Sequence, residues 1–365
     1  MRRVLCTILL LCVIILSGCT NNDNKTHIQF ASWGSKSEID ILKPILEEFE
    51  DENPNIKVDF MHIPQNYFQK IHLLFASNTA PDVIFINNLY LPTYANAGLL
   101  EELNTEDNFY PQAIETLSWD EKLYAIPRDI SNLVIYYNKD MFDKKNIPYP
   151  KEQWDLEEFL SIAQKLTDKK TFGISFEEEP LFYLPYIMSF GGGILPADIQ
   201  KPETQNALNF YSDLRNKYKV APKKSDSASA TMAQLFLQER IGMYLSGRWI
   251  VPKLREEAKF EWDVINFPHG EYGSVVPSDA SGWAISKTSK HKQEARQLID
   301  YLSSKKVAEK FVKSGLIVPA RVDVNLPDFE VFINVIKTSK PTPTTINYQE
   351  ITDKLKKDLE KLFNM

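Results

Sequence analysis

Strand-like and helix-like segments alternate between His27 and Ile86, and this alternation restricts the fold more than any other feature of the sequence. The strand-like segments are His27–Trp33, Ile56–Ile63 and Asp82–Ile86. The first helix-like segment ends at Asn53-Pro54, and its apolar face consists of Ile39, Leu42, Ile45, Leu46 and Phe49. The second helix-like segment is Tyr67–Ala76. A strand–helix–strand–helix–strand order predicts a parallel sheet flanked by helices.

Later segments continue the α/β pattern, and a length of 365 residues suggests two domains. Asp155 and Glu158 have the spacing of a capping box that opens a helix through Lys165. We expect strands over 241–245 and 262–267, and a helix over 291–303. Near the C-terminus one apolar stripe consists of Ile351, Leu355, Leu359 and Leu362. This stripe either docks the helix onto its own domain or binds a partner.

The N-terminus has the composition of a secretion signal. Arg2 and Arg3 precede an apolar run over 4–16, which is short for a membrane span. Small residues then lead into Cys19. The sequence Leu16-Ser17-Gly18-Cys19 resembles the bacterial lipobox, which implies a signal peptide over 1–18, lipidation of Cys19 and a polar tether over 19–26. The alternative is an ordinary secretory signal with an incidental cysteine.

Composition excludes several classes of function. The three cysteines are Cys6, Cys12 and Cys19, so the secreted chain has no disulfide framework and no thiolate metal site. The net charge of −7 becomes more negative once the leader arginines are removed, which argues against binding to nucleic acid or to anionic lipid. The five histidines are scattered without the spacing of metal ligands. We therefore expect no cofactor and no metal.

Two of the predicted strands end in side chains that suit a polyhydroxylated ligand. Trp33 lies at the end of the first strand, and Asn87 and Asn88 follow the third. Ligands of open α/β sheets bind beyond the carboxyl ends of the strands. An indole face packs on sugar C–H groups, while amides exchange hydrogen bonds with hydroxyls. Trp33 is equally compatible with a place in the core.

Eight segments in order along the chain resemble the family 1 extracellular solute-binding proteins, the sugar-binding subunits of ABC importers that include maltose-binding protein. The segments are 49–58 (FEDENPNIKV), 80–84 (APDVI), 94–100 (YANAGLL), 122–127 (KLYAIP), 136–140 (YYNKD), 243–249 (MYLSGRW), 284–287 (AISK) and 318–321 (VPAR). The resemblance implies a two-lobed periplasmic-binding-protein fold of type II. Each lobe is a mainly parallel sheet flanked by helices, and the lobes close about a hinge on a sugar that is then delivered to the permease subunits of an importer.

The resemblance also implies a division of the chain. Lobe 1 takes 26–130 plus 284–322, and lobe 2 takes 135–280 plus 328–365. The crossovers lie near 129–134, near 278–282 and just after Arg321. We expect a monomer outside the cytoplasmic membrane, held there by its N-terminal lipid alone.

The ligand-binding residues carried over from the family fall in several motifs. They are Trp249 in Gly247-Arg248-Trp249, Glu179 before Pro180, Tyr183 next to Phe182, Asp129 at the first crossover, Gly192 in the triple glycine 191–193, Trp283 after Gly282, and Asn88 with Tyr90 after the third strand. For several of these residues an ordinary structural role is the alternative: a core position for Trp249, a solvated acidic loop for 177–179 and a flexible loop for 191–193.

The chain departs from maltose-binding protein at Leu89 and Tyr90, where that protein has an aspartate and an arginine, so maltodextrin itself is in doubt. A polyol or a glycerol-phosphate ester stays possible, the latter because Arg128 and Arg248 lie near the expected site. Common catalytic motifs are missing from the sequence, although a carboxylate pair in a glycoside hydrolase would leave no such motif. A sensory role is also compatible with the sequence.

Overall fold

The strands form two large sheets and one two-stranded sheet in the computed structural model, which describes residues 25–106, 108–227 and 230–365. The strands are β1 (Thr26–Ser32), β2 (Ile56–His62), β3 (Val83–Asn87), β4 (Ser118–Trp119), β5 (Lys122–Leu123), β6 (Ile126–Ser131), β7 (Val134–Asn138), β8 (Phe172–Ile174), β9 (Ile241–Ser246), β10 (Trp262–Ile265) and β11 (Asp279–Ile285). One large sheet has the order β2-β1-β3-β11-β6 and the other has the order β10-β7-β9-β8, while β4 and β5 pair only with each other. The predicted signal peptide, Cys19 and most of the tether lie outside the described residues.

Helices cover both sheets. They are α1 (Lys36–Glu52), α2 (Tyr67–Ala76), α3 (Leu91–Asn96), α4 (Pro111–Thr116), α5 (Lys139–Lys144), α6 (Leu156–Leu166), α7 (Pro180–Ser189), α8 (Pro202–Asn216), α9 (Lys224–Ser227), α10 (Met232–Leu237), α11 (Val251–Glu257), α12 (Lys292–Leu302), α13 (Lys305–Ser314), α14 (Val331–Ile336) and α15 (Tyr348–Phe363). Helices α4 and α12 pack on the first sheet, whereas α6 and α10 pack on the second. We call the two sheets with their helices lobe 1 and lobe 2.

Each large sheet has one reversed strand, and the path of the chain between the lobes explains it. Strand β11 is antiparallel to β3 and β6, and β7 is antiparallel to β9 and β10, while β1–β2, β1–β3 and β8–β9 are parallel. Both reversed strands follow a passage from the other lobe: β7 starts three residues after Ser131, and β11 follows β10. Such a strand starts at the edge facing the other lobe and runs away from it. The remaining strands end at that edge, which is where ligands of α/β sheets bind.

Local signals set the helix ends close to the predicted positions. Helix α6 begins after Asp155, whose carboxylate accepts a 2.8 Å hydrogen bond from the amide of Glu158. Helix α1 begins after Ser35 in the same way and ends at Asn53, before Pro54. The C-terminal helix α15 buries Leu355 and Leu359, so the apolar stripe docks within the chain as expected.

Lobe 2 holds the end of α15 through hydrogen bonds to its last carbonyl groups. The Oγ of Ser212 donates to the carbonyl of Leu362 at 2.7 Å, and the Nη1 of Arg215 donates to that of Phe363 at 3.2 Å. Within the described ranges, no helix is both long and apolar enough to cross a membrane. Over the same ranges, the His, Cys, Asp and Glu side chains form no group of three or more that could hold a metal ion.

The predicted lobe boundaries stay a prediction. The first sheet includes all of β11 from Asp279, whereas the prediction starts the second part of lobe 1 at residue 284 and places a crossover over 278–282. Asn132 lies between β6 and β7, is buried, and donates through Nδ2 to the carbonyl of Phe332 at 2.8 Å. This bond joins the first passage between the lobes to α14.

Candidate functional site

The edge of lobe 1 that faces lobe 2 carries Trp33. The residue follows β1, and its indole is 46% exposed. The ring centroid lies 6.1 Å from that of Phe85 on β3, with the planes tilted by 43°. One side of the indole is thus supported by the lobe while much of the rest contacts solvent. A large aromatic side chain held in this way is suited to stacking on a ligand.

Asn88 belongs to a buried polar network at the same edge. Its Nδ2 donates to Asp279 Oδ1 at 2.8 Å, and Asp279 Oδ2 accepts from the hydroxyl of Thr342 at 3.0 Å. Burial raises the pKa of Asp279, although its hydrogen bonds to Asn88 and Thr342 oppose the shift. The Oδ1 of Asn88 is buried and has no hydrogen-bond partner among the described residues. A buried amide oxygen without a partner is uncommon in a folded protein.

Tyr90 connects lobe 1 to the C-terminal helix. Its ring stacks on Phe68 with centroids 3.6 Å apart, and its hydroxyl donates to Gln349 Oε1 at 3.0 Å. Burial raises the pKa of Tyr90, with smaller contributions from the carboxylates of Asp353 and Glu179. Tyr90 and Glu179, which the sequence predicts at one site, therefore lie within electrostatic range of each other.

Trp249 occupies the facing edge of lobe 2. It follows β9 within a 3₁₀ turn over Arg248–Ile250, and its side chain is 39% exposed. The indole lies over Gly247: a Cβ at that position would be 1.9 Å from Trp249 Cζ3, so the arrangement requires glycine. Tyr136, fully buried, donates from its hydroxyl to the carbonyl of Gly247 at 2.8 Å and so fixes this turn.

Three consecutive glutamates follow β8 at the edge of lobe 2 that also carries Trp249, because β8 and β9 are parallel neighbours. Glu178 accepts from Arg215 Nη1 at 2.8 Å and from Lys224 Nζ at 2.9 Å. Glu179 is exposed and pairs with Lys356 on α15 at 2.9 Å. Glu178 is therefore held by two cations, whereas the exposed Glu179 stays compatible with the solvated acidic loop that was the alternative for this segment.

The Glu177 carboxyl differs from its two neighbours. It is half-buried and has no side-chain hydrogen bond or ion pair within the described residues. Burial raises its pKa to about 7; the Glu179 carboxylate adds to this increase, and Arg215 opposes it. A carboxyl group with a raised pKa at a candidate cleft is a mark of a functional position.

Two of the predicted aromatic contacts lie inside the core of a lobe, because the structure buries both rings. Trp283 is fully buried on β11, between the strands β3 and β6, and its ring packs edge-on against Phe30 with centroids 5.3 Å apart. Tyr183 is also fully buried and packs against Phe363 of α15 with centroids 5.5 Å apart. In each case the apolar surroundings of the ring stabilise the core of a lobe and leave no face for a ligand.

Two further predicted site residues, Gly192 and Asp129, make close contacts within the protein. Gly192 follows the C-terminus of α7, about 15 Å along that ten-residue helix from Glu179 at its start. A Cβ at Gly192 would lie 2.5 Å from Thr204 Oγ1, so its close approach is to α8. Asp129 is buried, and its oxygens accept from Arg128 Nε at 2.6 Å and from the hydroxyl of Ser281 at 2.9 Å. Its carboxylate belongs to an internal ion-pair network.

Asp279 and Gln349 contact predicted site residues, Asn88 and Tyr90, although neither was itself predicted as a site residue. For Asp279 the sequence offers a weak indication, since this acidic residue falls inside the predicted second crossover. For Gln349 the sequence offers no indication, because its contact with Tyr90 joins residues 259 positions apart. Such a contact depends on tertiary structure alone.

Comparison with known proteins supports the same fold. Residues 35–309 match the family described as bacterial extracellular solute-binding protein. A galactooligosaccharide-binding protein of Bacillus subtilis is 23% identical over 345 residues, which cover 86% of this chain and 80% of the relative. A binding protein of Brucella abortus is 26% identical over 336 residues, covering 86% of this chain and 82% of the relative.

A solved structure agrees with the described fold over nearly its full length. The ABC substrate-binding protein of Listeria monocytogenes in complex with cycloalternan has a TM-score of 0.86 and 27% identity, covering 93% of this chain and 94% of that chain. The predicted two-lobed fold is thereby confirmed. The chain belongs to the bacterial extracellular solute-binding protein family.

Proposed function

We propose that the chain captures a mono- or oligosaccharide in the cleft between its lobes and delivers it to the permease subunits of an ABC importer. The main support is a pair of half-exposed indoles, Trp33 and Trp249, each held at the edge of its lobe that faces the other. Indoles pack on the C–H faces of sugar rings, while the half-buried Glu177 carboxyl accepts hydrogen bonds from hydroxyls. The named ligands of the relatives, a galactooligosaccharide and cycloalternan, are carbohydrates.

Closure of the two lobes about the hinge links sugar binding to transport. A sugar that contacts both lobes stabilises the closed arrangement, and its free energy of binding selects the state that a permease recognises. The division into lobes at the predicted crossovers is part of this proposal. So is a monomeric protein, since one chain supplies both faces of the cleft.

A saccharide panel tests the proposal directly. Cycloalternan, galactooligosaccharides, maltotriose and common monosaccharides are added to the mature protein, and the melting temperature is followed. A ligand that binds only the folded state raises that temperature, and titration calorimetry then gives its affinity. A panel without any shift would contradict sugar capture, and new reducing ends after incubation would indicate a glycoside hydrolase instead.

A phosphate ester is less well supported as the ligand. Arg128 is buried and forms 2.6 Å ion pairs with Glu38 and Asp129. Arg248 is buried as well and donates to Asp328 at 2.8 Å. Both arginines therefore have carboxylate partners within the protein, and the two Arg248 nitrogens that lack a hydrogen-bond partner among the described residues, Nε and Nη1, are buried.

Trp249→Ala should weaken saccharide binding at least fivefold, equivalent to more than about 1 kcal/mol, because a stacked indole supplies that much. Calorimetry with the best saccharide of the panel measures the change. Tyr149→Ala is the matched control: Tyr149 is 37% exposed but packs on Tyr137 of β7, at the far end of the lobe 2 sheet. The proposal requires the control to bind normally; an unchanged affinity in the Trp249 variant removes that residue from the site.

The proposal also includes lipid anchoring through Cys19, which places the folded lobes outside the cytoplasmic membrane. Cys19→Ser should abolish incorporation of radiolabelled palmitate and move the protein from the membrane fraction to the medium or periplasm. The reason is that the cysteine thiol is the site of the lipid, and no helix of the described residues spans a membrane in its place. Continued labelling of the serine variant would place the lipid elsewhere.

A further inference from the structure

The three glutamates after β8 have unequal partners although they are consecutive in sequence. Glu178 has two cationic partners, Arg215 and Lys224, and Glu179 has Lys356. Glu177 has neither a cation nor a hydrogen-bond donor for its carboxyl among the described residues. Burying a carboxyl without a partner lowers the stability of the folded protein, so stability does not explain why an acidic residue is found at position 177.

The backbone of Glu177 is held in place on both sides. Its amide donates to the hydroxyl of Tyr211 at 3.0 Å, and the same hydroxyl donates to the Glu177 carbonyl at 2.8 Å. Tyr211 is buried on α8 and stacks on Phe176 with centroids 4.3 Å apart. The carboxyl is thus presented from a fixed main chain at the lobe edge that also carries Trp249.

The titratable and charged groups around Glu177 come from its own segment and from four other elements, α8, β9, α9 and α15. Glu178 and Glu179 belong to its own segment, and the Glu179 carboxylate raises its pKa. Helix α8 supplies Tyr211 and also Arg215, whose guanidinium lowers that pKa. Strand β9 contributes the hydroxyl of Tyr244, a neutral group whose own pKa is raised by burial to about 12.

The nearby lysines do not compensate Glu177. Lys224 of α9 and Lys356 of α15 are the ion-pair partners of Glu178 and Glu179, respectively. The net result of burial and these charges is a pKa of about 7 for Glu177, against an ordinary value of 4.5. The group therefore changes its charge near neutral pH.

We propose that Glu177 contacts the bound saccharide directly and that its ionisation makes capture depend on pH. The inference rests on the proposed function, because it requires a ligand rich in hydroxyl groups. Hydroxyls donate to a carboxylate, and hydrogen bonds to the charged form of an acid favour that form. Binding therefore releases a proton from Glu177 whenever the free protein carries one. Affinity rises with pH up to the pKa of the free protein and is constant above it.

Calorimetry between pH 5.5 and 8.5 tests this linkage, with the saccharide that gives the largest shift in the panel as the probe. For a pKa near 7, the wild type should bind about tenfold more weakly at pH 6 than at pH 8. Repeating the titration in buffers of different ionisation enthalpy measures the proton that is released. Glu177→Gln, which keeps the size of the side chain, should bind with the same affinity at both pH values and release no proton.

Glu179→Gln provides a matched control within the same segment. Removing its charge lowers the pKa of Glu177, so the pH profile should keep its shape and move to lower pH. Equal profiles for the wild type and Glu177→Gln would overturn the inference, and so would a flat wild-type profile. Neither result would affect sugar capture itself. Failure of every saccharide to bind at pH 8 would contradict the proposed function and the inference together.

Thermal stability without ligand gives a second measurement. The folded protein favours the protonated acid, so the contribution of Glu177 to stability is fully present below pH 4.5 and is lost as pH rises to about 7. The melting temperature of Glu177→Gln minus that of the wild type should therefore increase across this range. A constant difference would show that Glu177 titrates normally and would overturn the inference.

Discussion

Replacing Arg128 by methionine should lower the free energy of unfolding by about 3–5 kcal/mol, because it leaves two buried carboxylates without their cation. Arg128 is buried and donates at 2.6 Å both to Glu38 on α1 and to Asp129 on β6. Its guanidinium carbon also lies 5.0 Å from the ring centroid of Phe85 and 5.4 Å from that of Trp283. Urea denaturation followed by circular dichroism measures the loss.

Arg296→Met is the matched control for this prediction. Arg296 forms an i,i+4 ion pair with Asp300 on the surface of α12, and such pairs contribute about 0–1 kcal/mol. A loss for Arg128→Met that is no larger than the loss for the control would show that Glu38 and Asp129 tolerate burial without the arginine. The double variant Glu38→Gln/Arg128→Met should recover part of the stability, since one of the uncompensated charges is gone.

The same network has a consequence for ligand binding. Glu38 lies in the first turn of α1, and a Cβ at Gly34 would be only 2.9 Å from its carboxylate. The short segment that carries Trp33 therefore packs directly on the partner of Arg128. Loss of the ion pair should loosen that segment and weaken stacking by Trp33 even in molecules that stay folded.

The sequence predicted the helices and strands well, because apolar periodicity and capping residues act over a few neighbouring positions. The helix predicted at Tyr67–Ala76 has those bounds in the structure, and the cap at Asp155 makes its expected hydrogen bond. The reversed directions of β7 and β11 were not predicted. These directions depend on where the chain passes between the lobes, and the hydrophobic pattern within a strand does not indicate its direction.

The site was predicted only in part, for a related physical reason. Trp33 and Trp249 stand at lobe edges with exposed indoles, as the proposed stacking requires, and that role stays a prediction. A motif places a residue on an element, but its exposure depends on packing from distant segments: Tyr183 is covered by Phe363, 180 residues later. The acidic segment shows the same limit, since Lys356 and Arg215 determine which of the three glutamates lacks a partner.

Trp283→Ala should lower the free energy of unfolding by about 3–5 kcal/mol, since it opens a cavity in the core of lobe 1. The indole is fully buried and packs edge-on against Phe30 and Phe85, with centroids 5.3 Å and 5.8 Å away.

Trp283→Phe keeps most of this volume and removes an indole N–H that has no hydrogen-bond partner among the described residues, so it should stay folded. Its saccharide affinity should lie within twofold of the wild type, because the side chain is covered on all sides. Trp249→Ala should show the opposite behaviour, losing affinity and keeping stability. A Trp283→Phe protein of normal stability that binds saccharide poorly would instead support a direct role for Trp283 in the ligand site.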